Sequence, residues 1–214
     1  MSLTLYYHPL SSFCQKALVA LYENATPFTG RIVNLMDPAE RAAFQRVWPI
    51  GKFPVLRDEA RGLTVPESSA IIAYLAEHYP GPTKLIPAGD GAWRLYLWDR
   101  IHDLYLNTNI GKMVTDKLRP EGKNDPLGVD QAREQLAVAL GIVDREMADR
   151  TWALGDAFTM ADCAAAPSLF YADMLMPFAD THRNAAAYLE RLSKRPSFAR
   201  VLSEAKPYFA MMPK

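Results

Sequence analysis

Three short fragments hold side chains that could do chemistry. In Pro9-Leu10-Ser11-Ser12-Phe13-Cys14, two hydroxyls and a thiol stand where an apolar run, Leu3 to Tyr7, gives way to a helical pattern. The first N–H groups of a helix have no internal partner, and the macrodipole leaves that end mildly positive. Such a junction stabilises an anion, whether phosphate, carboxylate or thiolate. In Gly51-Lys52-Phe53-Pro54-Val55-Leu56 a proline interrupts the entry to a strand. In Pro66-Glu67-Ser68-Ser69 a carboxylate and two hydroxyls open another helix. Taken singly, each has an ordinary structural explanation: a proline guards an edge, and an acid or serine caps a helix. Their chemistry depends on whether the intervening elements bring them together.

Apolar periodicity predicts strands at 3–7, 29–34, 53–57 and 63–65, and helices at 13–23, 38–47 and 67–79. The order over residues 1–79 is β-α-β-α-β-β-α. Ile71, Ile72, Leu75 and Ala76 supply the buried stripe of the third helix. Pro80, Gly81, Pro82 and Pro87 mark a linker over 80–88. Residues 89–214 carry helical patterns without a convincing strand: 92–118 with a kink near 107–111, then 129–150, 159–174, 181–194 and 197–205, with a polar loop at 120–128. Thr159-Met160-Ala161-Asp162 is a capping box that opens a buried, alanine-rich helix. The fold class is therefore α/β followed by all-α.

Composition narrows the function classes. The 214 residues suffice for one large or two small domains, and 50% hydrophobic content implies a folded core. Lys+Arg and Asp+Glu are both 24, so no general field attracts nucleic acid or anionic lipid. Apolar runs fall short of a membrane span, and the opening Met-Ser-Leu-Thr-Leu lacks the basic start of a signal peptide. Two cysteines, Cys14 and Cys163, do not make a disulfide framework. These features predict a cytoplasmic protein. The four histidines are scattered, and no metal-ligand spacing appears.

In this order and frame, the three fragments resemble the cytosolic glutathione S-transferases over nearly the whole chain, and among them the serine-type classes (delta, theta, phi, zeta). The resemblance implies a thioredoxin-like N-terminal domain over 1–79, and an all-helical C-terminal domain over 89–214 that holds the electrophile. It implies that Ser11 activates the glutathione sulfur and that the backbone of Phe53, before a cis Pro54, pairs with the cysteinyl backbone of the peptide. It also implies that Glu67 and Ser68 hold the γ-glutamyl end. Lys52 would reach the glycyl carboxylate; the family more commonly has Gln or Ser there. The physics agrees: a helix N-terminus with a serine suits a carboxylate, a nearby acid suits an ammonium, and a cis X-Pro bond presents main-chain groups to a ligand as an added strand would.

Two residues rival Ser11. Tyr7 ends the first strand, where the tyrosine-type classes keep their hydroxyl, and Ser12 stands at the offset of the beta-class cysteine. Cys14 occupies the resolving position of a glutaredoxin-like pair without the first cysteine, so it is expected as a small buried residue of the helix. The electrophile pocket is expected between the domains, among Leu10, Tyr105, Met113 and Tyr171, with Met174, Leu175 and the tail Tyr208–Met212 as further candidates. The implied reaction conjugates glutathione, as co-substrate and with no cofactor, to small hydrophobic electrophiles in a homodimer, with neither nucleic acid nor membrane as partner. The alternatives are a glutathione-dependent isomerase or dehalogenase, or a non-catalytic binding member.

Overall fold

The computed structural model describes residues 2–89 and 92–213. Four strands, β1 (Leu3–Tyr7), β2 (Thr29–Ile32), β3 (Val55–Asp58) and β4 (Leu63–Pro66), form one sheet in the order β2-β1-β3-β4. β1 runs parallel to β2 in the register Leu5 to Gly30, and antiparallel to β3 in the register Leu5 to Leu56. β3 and β4 are an antiparallel hairpin whose turn contains Gly62 at φ +66°. The parallel pair needs a crossover, and α1 (Ser12–Glu23) supplies it. α2 (Pro38–Val47) is capped by Asp37, whose carboxylate accepts the N–H groups of Ala39 and Glu40. α3 (Ser68–His78) follows β4. This is the expected thioredoxin-like arrangement.

The remaining elements are helical: α4 (Ala92–Arg100), a π-helical stretch (Ile101–Asn107), α5 (Thr108–Asp116), α6 (Pro126–Glu146), α7 (Met160–Leu175), α8 (Arg183–Lys194), α9 (Pro196–Ala205) and a closing 3₁₀ turn (Lys206–Met211). The irregularity expected near 107–111 lies earlier, in the π-helical stretch. Buried His102, Asp103 and Asn107 leave no apolar stripe that periodicity could follow there. α6 starts at Pro126, three residues before the expected 129, because Asp125 caps it by accepting the Gly128 N–H and proline suits the first helical turn. β3 starts at Val55 instead of residue 53, since Phe53 and Pro54 precede the ladder. The capping box forms: the Asp162 carboxylate accepts the Thr159 N–H at 2.8 Å, and also the Ala153 N–H and the Tyr188 hydroxyl.

The larger of two hydrophobic clusters among the described residues runs through both halves; the smaller joins Val33, Phe44 and Val55. Leu3, Leu5, Leu18 and Leu56 from the sheet side join Leu95, Trp98, Met160 and Leu169 from the helical side. α1 is the shared wall, with every residue from Cys14 to Leu21 buried between α3, α7 and α9. That burial includes two polar side chains, Gln15 and Lys16, each 0% exposed, and each must find partners to offset its desolvation. Lys16 meets Asp99 at 2.5 Å and Asp103 at 2.7 Å, and donates to Ser69 Oγ at 2.8 Å. Arg100 closes the cluster on both carboxylates at 2.7 Å. Two cations and two anions balance, and the cluster ties α1 and the start of α3 to α4. Burial would push Asp99 up, but Lys16 together with Arg100 and Ser69 holds Asp99 below the usual carboxylate range; burial raises Asp103.

Candidate active site

The loop between β1 and α1 delivers the first fragment. Ser11 is the N-cap of α1, with extended backbone (φ −77°, ψ 119°), and its Oγ accepts the Cys14 N–H at 3.3 Å. That bond occupies a lone pair and leaves the hydroxyl proton free to donate. Ser12 is the first helical residue and half-buried. Cys14 is fully buried, and burial pushes its thiol up to about 12 against the opposing pull of Ser11 and the His8 backbone. A thiol so raised is not a nucleophile near neutral pH. Tyr7 lies on the face of β1 shared by Leu3 and Leu5, with its ring against Gly30 of β2: a Cβ on Gly30 would stand 3.1 Å from that ring. Burial raises the Tyr7 phenol, and Glu204 and Tyr208 add to the effect.

Phe53 and Pro54 are joined by a cis peptide bond, as expected from the resemblance. The Phe53 ring stacks on His8, with centroids 6.1 Å apart and planes at 19°. This sets the second fragment beside the first, because His8 also accepts the Ser11 N–H on its carbonyl at 3.0 Å and the Leu10 N–H on Nδ1 at 3.2 Å. Burial lowers the His8 pKa, which suits a ring that accepts at Nδ1.

Glu67 supplies the third fragment from an unusual backbone position. Its φ is +68°, and it caps α3 without a side-chain capping bond. For a residue other than glycine, such a conformation costs of order 1–3 kcal/mol and persists where the surroundings impose it, commonly at functional sites. Its carbonyl accepts the Ile71 N–H at 2.8 Å, the first bond of the helix. The N–H groups of Ser68, Ser69 and Ala70 therefore belong to the turn that the helix cannot satisfy itself. Ser69, by contrast, turns its hydroxyl away into the buried ion cluster and donates to Asp99 at 2.8 Å.

A cleft of about 190 Å³ joins these pieces, lined by Phe13, Lys52, Phe53, Pro54, Glu67 and Ser68. Lys52 and Glu67 are exposed at its rim, and Ser68 is buried in its wall. Ser11 caps the helix whose second residue, Phe13, lines the cleft. The arrangement presents unpaired helix-start amides, a cation, an anion and an extended segment of main chain to one ligand, which suits a small zwitterionic peptide.

The four expected pocket residues do not share one role. Leu10 and Tyr171 meet directly, because the Tyr171 hydroxyl donates to the Leu10 carbonyl at 2.8 Å. Tyr171 is only 4% exposed and its hydroxyl also accepts from Gln15 Nε2 at 3.0 Å, so it is a strut and not an open wall. Met113, at 5% exposed, packs in the helical core. Tyr105 is 59% exposed on the π-helical stretch. Met113 and Tyr171 are buried where Tyr105 is exposed, a difference that apolar type and position in the chain do not show. Sequence reasoning missed His8, which touches both the Ser11 loop and Phe53. Its position one residue before Pro9 was a usable signal.

A thioredoxin-like sheet with a helix-start hydroxyl, a cis proline and a strained acid at the next helix start defines a glutathione-binding class of protein. Comparison with known proteins agrees. The family model for the glutathione S-transferase N-terminal domain matches residues 5–83, and that for the glutathione S-transferase C-terminal domain matches 93–196. Glutathione S-transferase 3 of Zea mays is 31% identical over 209 residues, covering 94% of this chain and 93% of the relative. FtsZ-localized protein A of Caulobacter vibrioides is 30% identical over 220 residues, covering 97% and 93%. The crystal structure of a glutathione S-transferase from Methylobacillus flagellatus with glutathione bound superposes with a TM-score of 0.85 at 25% identity, covering 94% of this chain and 98% of that one. The chain belongs to the glutathione S-transferase family.

Proposed function

We propose that this protein is a glutathione transferase that conjugates the glutathione thiolate to small apolar electrophiles. The observation that carries the reading is the single cleft shared by Lys52, Phe53, Pro54, Glu67 and Ser68, joined by Phe13 from the first turn of α1, the helix that Ser11 caps. In this reading Glu67 holds the glutathione ammonium, the Ser68 amide and hydroxyl hold the γ-glutamyl carboxylate, the Phe53 main chain pairs with the cysteinyl residue, and Lys52 reaches the glycyl carboxylate. The sulfur then lies at the start of α1, where Ser11 donates to it. Ser11 is preferred to Tyr7 because the Tyr7 ring lies on Gly30 and its phenol is raised by burial; Ser12 is the remaining rival. The thiolate attacks an electrophilic carbon, the C–S bond forms, and the leaving group departs with its bonding pair. Leu10, Tyr105 and the tail are the reading's electrophile contacts: Tyr208 meets His8 edge-on at 5.7 Å, which sets the tail beside the Ser11 loop.

The division into a glutathione-binding part over 1–79, a linker over 80–88 and a helical part over 89–214 belongs to this reading. It is supported by the position of the sheet strands before residue 67 and by the ranges of the two family models. Met1, Asp90, Gly91 and Lys214 lie outside the described residues. A homodimer is supported by an apolar stripe on the exposed side of α4 and the π-helical stretch: Trp93, Tyr96, Leu97 and Leu104, with Trp93 66% exposed. No described helix is long and apolar enough to cross a membrane, and the two buried free cysteines fit a reducing, cytoplasmic setting.

A second reading, a non-catalytic binding member, is favoured by the Caulobacter relative, whose name records a location and no reaction. Calorimetry with glutathione tests the common ground: absence of binding removes both the cleft assignment and the transferase. Turnover of a chloro-nitroaromatic with consumption of glutathione supports the transferase; binding without turnover supports the second reading, and turnover that regenerates glutathione supports an isomerase.

A further inference from the structure

The loop that carries Ser11 has its main-chain groups held from two sides. The Leu10 N–H goes to His8 Nδ1 and the Ser11 N–H to the His8 carbonyl, as described above. The two carbonyls immediately before Ser11 are taken by side chains. Gln15 Nε2 donates to the Pro9 carbonyl at 2.8 Å, and the Tyr171 hydroxyl donates to the Leu10 carbonyl at 2.8 Å. Gln15 Nε2 also donates to the Tyr171 oxygen at 3.0 Å, which closes a ring of bonds through both residues. Gln15 belongs to α1 and Tyr171 to α7, so one half of the ring comes from the helical part of the chain. Gln15 is 0% exposed and Tyr171 4% exposed, so water does not readily take over a lost bond.

We propose that Tyr171, acting with Gln15, is a positioning residue that fixes the direction of the Ser11 hydroxyl toward the glutathione sulfur. The Leu10–Ser11 peptide unit is the last hinge before the hydroxyl. A hydrogen bond to its carbonyl from a helix outside the sheet sets the rotation of that unit, and hence where the Ser11 side chain starts. Burial raises the Tyr171 phenol, so it remains a neutral donor through any pH at which glutathione titrates. The titratable groups around the loop include Cys14 and Tyr7, both raised by burial, His8, lowered by burial, and Tyr208 edge-on to His8. The adjacent Phe170 ring stacks on Phe209 of the tail at 5.9 Å. Helix α7 therefore touches the Ser11 loop and the tail at consecutive residues, and keys the two halves of the proposed site to each other.

The inference rests on Ser11 as the sulfur's hydrogen-bond donor, and a double-mutant cycle separates the two claims. Tyr171→Phe removes one oxygen and keeps the ring. It is expected to lower kcat about 1.5- to 2-fold near pH 6.5, less than loss of the Ser11 hydroxyl itself, while the KM for glutathione stays unchanged. The bound thiol should titrate about half a unit to one unit higher by ultraviolet difference absorbance, a shift in the same free-energy scale as the lost alignment. In a Ser11→Ala background the same substitution should change neither quantity further. An equal loss of kcat in both backgrounds, or an unmoved thiol titration, would show Tyr171 to be merely structural and overturn the inference while leaving Ser11 in place. A Ser11→Ala variant whose bound thiol titrates as in the wild type would overturn both. Gln15→Met, which removes the donor to the Pro9 carbonyl, repeats the test if Tyr171→Phe does not fold, and carries the same two outcomes.

Discussion

Replacing Ser11 by alanine gives a prediction whose sign changes with pH. A free thiol titrates near 8.5. A hydrogen bond to a charged group is worth roughly 1.5–3 kcal/mol, and a helix start adds up to about 2, so the two together place the bound thiol near 6.5, about two units down. Ser11→Ala removes the hydroxyl and keeps the amides and dipole of α1. Taking about 2 kcal/mol for the lost bond, the thiol rises by about 1.5 units, to near 8. At about pH 6.5 the thiolate fraction then falls from about one half to about 3%, roughly 16-fold. The more basic thiolate is also the better nucleophile. With the slope of about 0.4–0.5 known for thiol–disulfide exchange, 1.5 units return about 4- to 6-fold. The net loss near pH 6.5 is therefore only about 3- to 4-fold. Near pH 9.5 both proteins hold fully ionised sulfur, and the variant should be faster by about 4- to 6-fold. The assay is single-turnover conjugation of a chloro-nitroaromatic against pH, beside ultraviolet titration of bound glutathione. The substitution also removes the cap on the Cys14 N–H, a stability loss of roughly 0.5–2 kcal/mol, which a melting curve reports separately. A variant slower by the same factor at every pH would refute the reasoning, since the hydroxyl would then be acting on the transition state or the electrophile and not on ionisation.

Glu67→Gly should leave the protein as stable or more so, by up to about 1 kcal/mol, because glycine adopts φ +68° freely while adding only a modest unfolded-state entropy; its glutathione affinity should fall at least about 10-fold from the lost charge-assisted bond, and calorimetry giving an unchanged affinity would remove Glu67 from the site. Burial would raise Asp58, but hydroxyls of Tyr74 at 2.6 Å and Tyr79 at 2.5 Å, with the N–H groups of Arg61 and Ala60, hold it at about 2. A depressed folded value means stability that is present above about pH 4 and lost as pH falls toward 2, so Asp58→Asn should melt lower than wild type at pH 7 and converge with it near pH 2; a constant gap would contradict the linkage. Trp93→Glu should shift the protein from dimer to monomer in sedimentation experiments without unfolding it, and a variant that sediments as the wild type would discard the α4 stripe as an interface.

The sequence could be read wherever one element's own residues decide its form. β1, α2 and the Thr159 capping box depend on local apolar spacing and local caps, and they appear where those signals stand. The three site fragments stand out in the sequence because each sits at a strand or helix boundary, where backbone groups are left unpaired whatever the rest of the fold does. What the sequence does not show lies where a residue's partner is distant in the chain. Nothing local marks Gln15 and Lys16 as buried, yet α1 has no exposed residue over 14–21: Lys16 is neutralised by Asp99 and Asp103, more than 80 residues on, and Gln15 donates to Tyr171, 156 residues on. The same distance hid the contact of the Tyr171 hydroxyl with the Leu10 carbonyl, 161 residues away.

That pattern has a physical cause that bears on the site itself. A helix lying between two layers needs polar side chains only where another polar group needs holding, so a buried glutamine or lysine is a sign of something to be held. On α1, Gln15 holds the loop before Ser11 and Lys16 holds Ser69 at the start of α3, behind Glu67 and Ser68. Adjacent residues of one helix thus brace the two helix starts that the proposed glutathione site uses. If the bracing matters more than the burial, replacing Lys16 by methionine should weaken glutathione binding as well as lower the melting temperature, because removing one partner of a buried ion cluster strands its carboxylates at a cost of roughly 3–5 kcal/mol. Pairing it with Asp103→Leu removes the carboxylate that burial already raises and leaves Arg100 to neutralise Asp99. The double variant should regain most of the stability while the Ser69 contact stays lost, so binding that recovers together with stability would show that Lys16 supports the fold and nothing more.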